Sequence, residues 1–184
     1  MRTFIAIDLE PGLKTVLQDL IRKLQRTGAD VRWTRAEGLH LTLKFLGEVP
    51  DNRVAQVCNV VKEVAARHPA FDFNVKEVGT FGGRSARVLW VGAGLQSPDL
   101  LKLQEDLEEQ LEQAGWPKEG RQFSGHLTLC RIRNAKAGEK LAKLAEQYTE
   151  YDLATIRADS VCVYESQLRP EGPIYTRLGN YKLQ

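Results

Sequence analysis

The 184-residue sequence predicts an α+β fold: two pseudo-symmetric lobes of mainly antiparallel sheet, helices outside, and a central cleft. Two observations carry that expectation. The word His-Leu-Thr-Leu occurs twice, at His40–Leu43 and His126–Leu129, and holds two of the chain's three histidines. Around each copy the apolar spacing changes in the same order: helix, motif strand, helix, two strands. The repeat reads as one bilobal domain built by internal duplication, about residues 1–92 and 93–184.

Taken in order, Phe4 to Leu9 reads as a strand. Leu13, Val16, Leu17, Leu20, Ile21 and Leu24 recur at helical spacing, with Gly28 as the stop. A short strand, Val31–Trp33, precedes the first motif strand, which runs on through Lys44, Phe45 and Leu46. A turn over 47–52 leads to a helix that turns Val54, Val57, Cys58, Val61, Val64 and Ala65 inward. Two strands, Phe71–Val78 and Arg87–Val91, flank a loop holding Gly79, Gly82 and Gly83.

The second round opens with a helix carrying Leu100, Leu103, Leu107 and Leu111, with Ser97 or Asp99 as its cap. A loop with Gly115, Pro117 and Gly120 leads to the second motif strand. A helix with Leu141, Leu144 and Ala145 inward follows, then strands over Ala158–Glu165 and Ile174–Leu183.

Composition narrows the class. Hydrophobic residues at 42% and charged residues at 27% are those of a globular protein. No apolar run nears the roughly 20 residues of a membrane helix. Asp8 and Glu10 interrupt the opening apolar stretch, which excludes a signal peptide there. Cys58, Cys130 and Cys162 are odd in number and lack metal-ligand spacing, so they read as reduced thiols of a cytoplasmic protein. A net charge of +2 permits a phosphate or nucleic-acid ligand without demanding one.

The repeated word alternates polar and apolar residues, the period of a half-buried strand. Its leucines anchor the strand while histidine and threonine share the other face. Two imidazoles across a cleft divide acid–base work: a neutral one accepts a proton from a nucleophile, a protonated one gives a proton to a leaving group. Threonine hydroxyls donate to the non-bridging oxygens of an anion. That set suits displacement at a phosphodiester. No serine or cysteine lies in a nucleophile motif.

One histidine per strand, with no Cys, Asp or Glu beside it, falls short of a metal's usual three or four ligands, so no metal is expected. Gly79–Gly83 lacks the Lys-Ser/Thr of a P-loop and reads as a hairpin loop, so neither ATP nor any other cofactor is expected. Arg32, Arg35 and Lys44 flank the first motif; Arg121, Arg131 and Arg133 flank the second. Alternation puts Lys44 on the face of Thr42, with Cys130 in the matching place of the second copy. Trp33, Phe123 and Tyr175 could stack on a nucleobase, but each reads first as a core or rim aromatic. His68, at a helix end, reads as a dipole partner or plain surface.

The paired motifs resemble those of the 2H phosphoesterase superfamily, and within it the RNA 2′,3′-cyclic phosphodiesterases, also named 2′-5′ RNA ligases. The likeness includes Arg2–Ile7, Arg32-Trp33, Leu39–Gly47, Arg87–Trp90, Phe123–Leu129, Tyr164–Ser166 and Gly172–Tyr175. It implies metal-free hydrolysis of RNA 2′,3′-cyclic phosphate ends to 2′-phosphates. His40 is then the proton donor, His126 the proton acceptor, and Thr42 and Thr128 hold the phosphate. Arg131 matches a family arginine, although strict alternation turns it away from His126. Where the family often has proline before the second histidine, this chain has Gly125, read as a looser entry. The alternatives are a non-catalytic RNA-end binding protein and an enzyme for a small non-RNA cyclic phosphate. A cytoplasmic monomer acting on RNA ends, apart from membranes, completes the expectation.

Overall fold

The strands lie in two antiparallel sheets joined along their motif-bearing sides, in a computed structural model that describes residues 1–184. In chain order the elements are β1 Arg2–Ile7, α1 Pro11–Gln25, β2 Arg32–Trp33, β3 Leu41–Glu48 and α2 Val54–Ala65. Next come β4 Phe71–Phe81, β5 Val88–Ala93, α3 Pro98–Gln113 and β6 His126–Arg131. The chain closes with α4 Ala135–Ala145, β7 Asp152–Ala158, β8 Ser160–Gln167 and β9 Ile174–Lys182. The first sheet has the order β3-β1-β8-β9, the second β2-β6-β5-β4-β7. No helix is long and apolar enough to cross a membrane.

Each sheet draws strands from both halves of the sequence. β1 and β3 come from the first half and pair with β8 and β9 of the second; β4 and β5 pair with β6 and β7. The lobes are therefore not the two halves folded side by side. The strand expected over Ala158–Glu165 corresponds to β8, and β7, which precedes it, was not expected. The chain breaks at Asp159, with β7 paired to β4 in one sheet and β8 paired to β1 in the other. No glycine or proline marks this crossing.

The helices follow their apolar stripes. α1 buries Leu13, Leu17, Leu20, Ile21 and Leu24, while Val16 falls on its exposed flank. Ser97 caps α3 by accepting from the Leu100 amide at 3.2 Å, and Asn134 caps α4 through the amides of Lys136 and Ala137. α2 packs against α3, and α4 against β4 and β5. His68, at the end of α2, meets Asp106 of α3 at 2.7 Å beside the two-pronged Arg67–Asp106 pair. It clamps two helices together.

One continuous core takes the inner faces of both sheets, including Ile5, Ile7, Leu89, Val91, Val161 and Val163. A second, smaller cluster of Phe4, Ala6, Cys162 and Tyr164, with Tyr175 against it, lies on the other face of the first sheet. That face carries the first motif's polar side chains.

Candidate active site

The four motif leucines enter the main core: Leu41, Leu43, Leu127 and Leu129 are all buried. Pleating then leaves His40, Thr42, His126 and Thr128 half-buried on the opposite faces. β3 is an edge strand, and beyond β6 lies only the two-residue β2. β3 and β6 touch, so the two sheets meet at their motifs.

Both motif strands carry a β-bulge at the same place. Thr42 pairs with Ala6 but Lys44 pairs with Ile5, which makes Leu43 the extra residue. Thr128 pairs with Trp90 but Cys130 with Leu89, which makes Leu129 extra. A bulge shifts the alternation by one residue. Lys44 therefore turns from the threonine face to the face of buried Ile5, against expectation. There its Nζ donates to Glu108 Oε2 at 2.7 Å and to the Pro117 carbonyl at 2.9 Å. Cys130 likewise turns inward, where burial pushes its thiol up to about 11.

The same shift returns the following residue to the motif face. Arg131 pairs with Val88, two residues from Trp90, and so shares the face of Thr128 and His126. The bend its placement needs is the bulge at Leu129. Phe45 holds the matching place in the first copy: it pairs with Phe4, is 62% exposed, and its ring lies 5.7 Å from the Phe4 ring.

His40 sits just before β3 with its side chain 9% exposed. Three rings enclose it: Tyr164 at 4.8 Å, Tyr175 at 5.1 Å and Phe4 at 5.9 Å between centroids. Burial lowers its pKa; the Asp8 carboxylate opposes that, and Lys14 and Arg177 add to the lowering. Asp8 Oδ1 lies 3.7 Å from His40 Nε2. The Tyr164 hydroxyl donates to the same oxygen at 2.6 Å, and Arg177 Nη2 donates to Asp8 Oδ2 at 2.6 Å. Cys162, beside Asp8, is pushed up to about 12 by burial.

His126 is tied to the backbone two residues before it, as His40 is to Gly38. Its Nδ1 lies 2.8 Å from the Ser124 carbonyl, which only accepts, so the Nδ1 proton is fixed and Nε2 carries the lone pair of the neutral ring. Phe81 meets the ring edge-on at 5.1 Å, and Trp90 lies at 6.5 Å. Gly79 pairs with Trp90, and a Cβ there would stand 2.4 Å from the indole, so only glycine leaves Trp90 room. Gly125, before the histidine, is no loose entry: a Cβ on it would stand 2.0 Å from the Ala93 carbonyl oxygen.

One residue pair links the two polar faces electrostatically. Tyr175 of the first sheet has its pKa raised by burial, while Arg131 of the second sheet, together with Arg2, acts in the opposite direction. Trp33 and Phe123 instead pack against the core. Phe81, beside His126, and Phe45, beside Phe4, are exposed rings that were not among the expected stacking residues. A cavity of about 360 Å³ beside α3 is lined by Glu105, Glu108, Glu109 and Glu119 together with Lys118 and Arg121, so acidic side chains outnumber basic ones there. No three His, Cys, Asp or Glu side chains converge as a metal site.

A sequence profile described as LigT-like phosphoesterase matches residues 7–90 and 94–175. The chain belongs to the LigT-like phosphoesterase family. Within the family it is 35% identical to the RNA 2′,3′-cyclic phosphodiesterase of Thermotoga maritima, covering 95% of this chain and 91% of that one. It is 30% identical to the enzyme of the same name from Methanothermobacter thermautotrophicus, covering 100% and 99%. The family's E. coli LigT, solved with 3′-AMP, superposes with a TM-score of 0.77 at 25% identity, covering 99% of this chain and 97% of LigT. The Thermus thermophilus protein TT0787 shares the fold, with a TM-score of 0.80 at 23% identity and coverage of 100% and 98%.

Proposed function

We propose that the protein hydrolyses RNA or nucleoside 2′,3′-cyclic phosphate ends to 2′-phosphates by two-histidine acid–base catalysis. The observation that carries this reading is the 2.8 Å contact of His126 Nδ1 with the Ser124 carbonyl: a proton held on Nδ1 there leaves Nε2 to accept one from water. Water attacks phosphorus as it gives up that proton. The bond from phosphorus to the 3′ oxygen breaks, and His40 protonates the departing oxygen. Thr42 and Thr128 donate to the non-bridging oxygens, where charge builds in the transition state. Arg131, on the same face, neutralises the phosphate with a forked donor.

Phosphodiester cleavage by this route draws on no metal and no ATP. The exposed rings of Phe45 and Phe81 suit stacking on nucleobases at either side of the phosphate. The 3′-AMP complex of the E. coli relative supports a nucleotide-sized ligand in this fold. By microscopic reversibility the same groups run the joining reaction to a 2′-5′ linkage, with hydrolysis favoured in water.

A short RNA ending in a 2′,3′-cyclic phosphate, incubated with the protein and EDTA, is the direct test. A 2′-phosphate product, absent with His40→Ala and His126→Ala, is the expected result. A 3′-phosphate product, or activity that needs added zinc after EDTA, would overturn it.

A further inference from the structure

The edge strand β2 pairs with β6 through two residues. Trp33 lies opposite buried Cys130 and packs against the core, and Arg32 lies opposite Arg131. Directly paired residues project on one side of a sheet, and neighbouring strands lie about 4.8 Å apart. Two exposed arginines therefore stand side by side on the face of Thr128 and His126. Like charges placed opposite each other destabilise a strand pair unless an anion joins them.

The chain itself supplies no anion here. Its ion-paired arginines are Arg22, Arg67, Arg157 and Arg177. Neither Arg32 nor Arg131 has a carboxylate within 4.0 Å. Arg32 is held all the same: its Nη2 donates at 3.3 Å to the Pro170 carbonyl, in the turn between β8 and β9 of the first sheet. That bond fixes the planar group from the opposite sheet and leaves the rest of its five N–H donors for a ligand. A further cation, Arg2, continues the Phe4 and Ala6 side of β1 and acts with Arg131 on the Tyr175 hydroxyl.

Charge balance and connectivity say what the second arginine takes. A cyclic phosphate is a diester with one negative charge, which Arg131 and the motif threonines already meet in the reading above. It occupies the 3′ end of its strand, so the nearest other phosphate is the one on the 5′ oxygen of the terminal nucleotide. An RNA end carries that phosphate, and a nucleoside cyclic phosphate lacks it. Resting on the cyclic-phosphate reading above, we infer that Arg32 binds the phosphodiester on the 5′ side of the terminal nucleotide and so selects RNA ends over nucleoside cyclic phosphates. Arg131 takes the phosphate being cleaved, and Arg32 beside it takes the next one along the strand, each with a fork that matches two phosphate oxygens.

The test uses the full chain and two dinucleotides ending in a 2′,3′-cyclic phosphate. They are identical except that the internal linkage is a phosphodiester in one and an uncharged methylphosphonate in the other. The wild type should cleave the charged one with about tenfold higher kcat/KM, the effect of one charge-assisted contact, and the difference should lie in KM because the contact is remote from the reacting atoms. Arg32→Gln should bring the ratio near one; Arg32→Lys, which keeps the charge and loses the fork, should retain part of it. Arg32 is exposed on a two-residue edge strand, so both variants leave the core intact. A ratio near one in the wild type overturns the inference. So does a ratio that survives Arg32→Gln while both substrates slow alike, the mark of a side chain that only anchors the Pro170 turn.

Binding separates this inference from the reaction. The matching dinucleotides ending in a 2′-phosphate, titrated by calorimetry, should show the same preference and lose it in Arg32→Gln. A wild type that cleaves neither cyclic phosphate would sink the reaction itself. The calorimetric preference then decides the contact alone: its loss in Arg32→Gln supports Arg32, and its absence from the wild type overturns the inference.

Discussion

Gly125→Ala concentrates a packing error at the entrance to the second motif. The added Cβ would stand 2.0 Å from the Ala93 carbonyl oxygen and 3.3 Å from Leu100 Cδ2. Ordinary contact begins at 3.4 Å, so the two backbones must part by about 1.4 Å. The Ala93 amide also donates to the Gly125 carbonyl at 2.9 Å, and parting the strands strains that bond. Overpacking of this kind costs about 1–3 kcal/mol. His126 is the next residue, and a misplacement near 1 Å costs about 10²-fold in turnover. Urea denaturation and single-turnover cleavage of a cyclic-phosphate RNA measure both losses. Stability within about 0.5 kcal/mol of wild type, with unchanged turnover, would refute the close-approach argument.

Three further outcomes are expected. Thr42→Ala and Thr128→Ala should each lower kcat by about 10²-fold with the fold intact by circular dichroism, the cost of one lost oxyanion donor. Burial holds the His40 pKa below the ordinary imidazole value, so as pH falls through about 6.5 the unfolded chain takes up a proton the native ring resists. Stability should fall over that interval and level off once the native ring protonates; urea midpoints across it should show a smaller fall in His40→Gln. Lys44→Met strands the buried Glu108 carboxylate and should cost about 3–5 kcal/mol by chemical denaturation. Adding Glu108→Gln should recover most of that, because the Glu119 amide, which donates to Glu108 Oε2 at 3.1 Å, can donate to the glutamine oxygen.

The His-x-Thr alternation was legible because period two is a local property, and the leucines behave as the pattern requires. The bulges were not. Leu43 and Leu129 look like ordinary strand residues, and only the register against β1 and β5 shows them to be extra. That one feature moves Lys44 into the core and brings Arg131 to the site. β7 was missed because Asp152, Thr155 and Arg157 break its apolar run, and the crossing is marked only by Asp159 and Ser160, with neither glycine nor proline. Asp8 carried a signal that went unused: it continues the Phe4, Ala6 side of β1, a face that is otherwise apolar. Arg177 carried none, since its meeting with Asp8 joins residues at opposite ends of the chain. Phe45 and Phe81 were missed because strand aromatics usually go inward, and exposure is a tertiary property.

The interleaved sheets have a consequence for the chain as it leaves the ribosome. β1 emerges first and finds β3 soon after, but its other neighbour, β8, is synthesised only from Ser160 onward. Through most of translation one edge of an apolar strand, Phe4-Ile5-Ala6-Ile7, stays open for any other strand to join. β1, made before either strand it pairs with, is thus among the last to be completed, and a ribosome stalled before Ser160 leaves a nascent chain with that edge bare. Vectorial folding here leaves the N-terminal strand waiting for the C-terminal one, and the demand on holding chaperones falls in that interval.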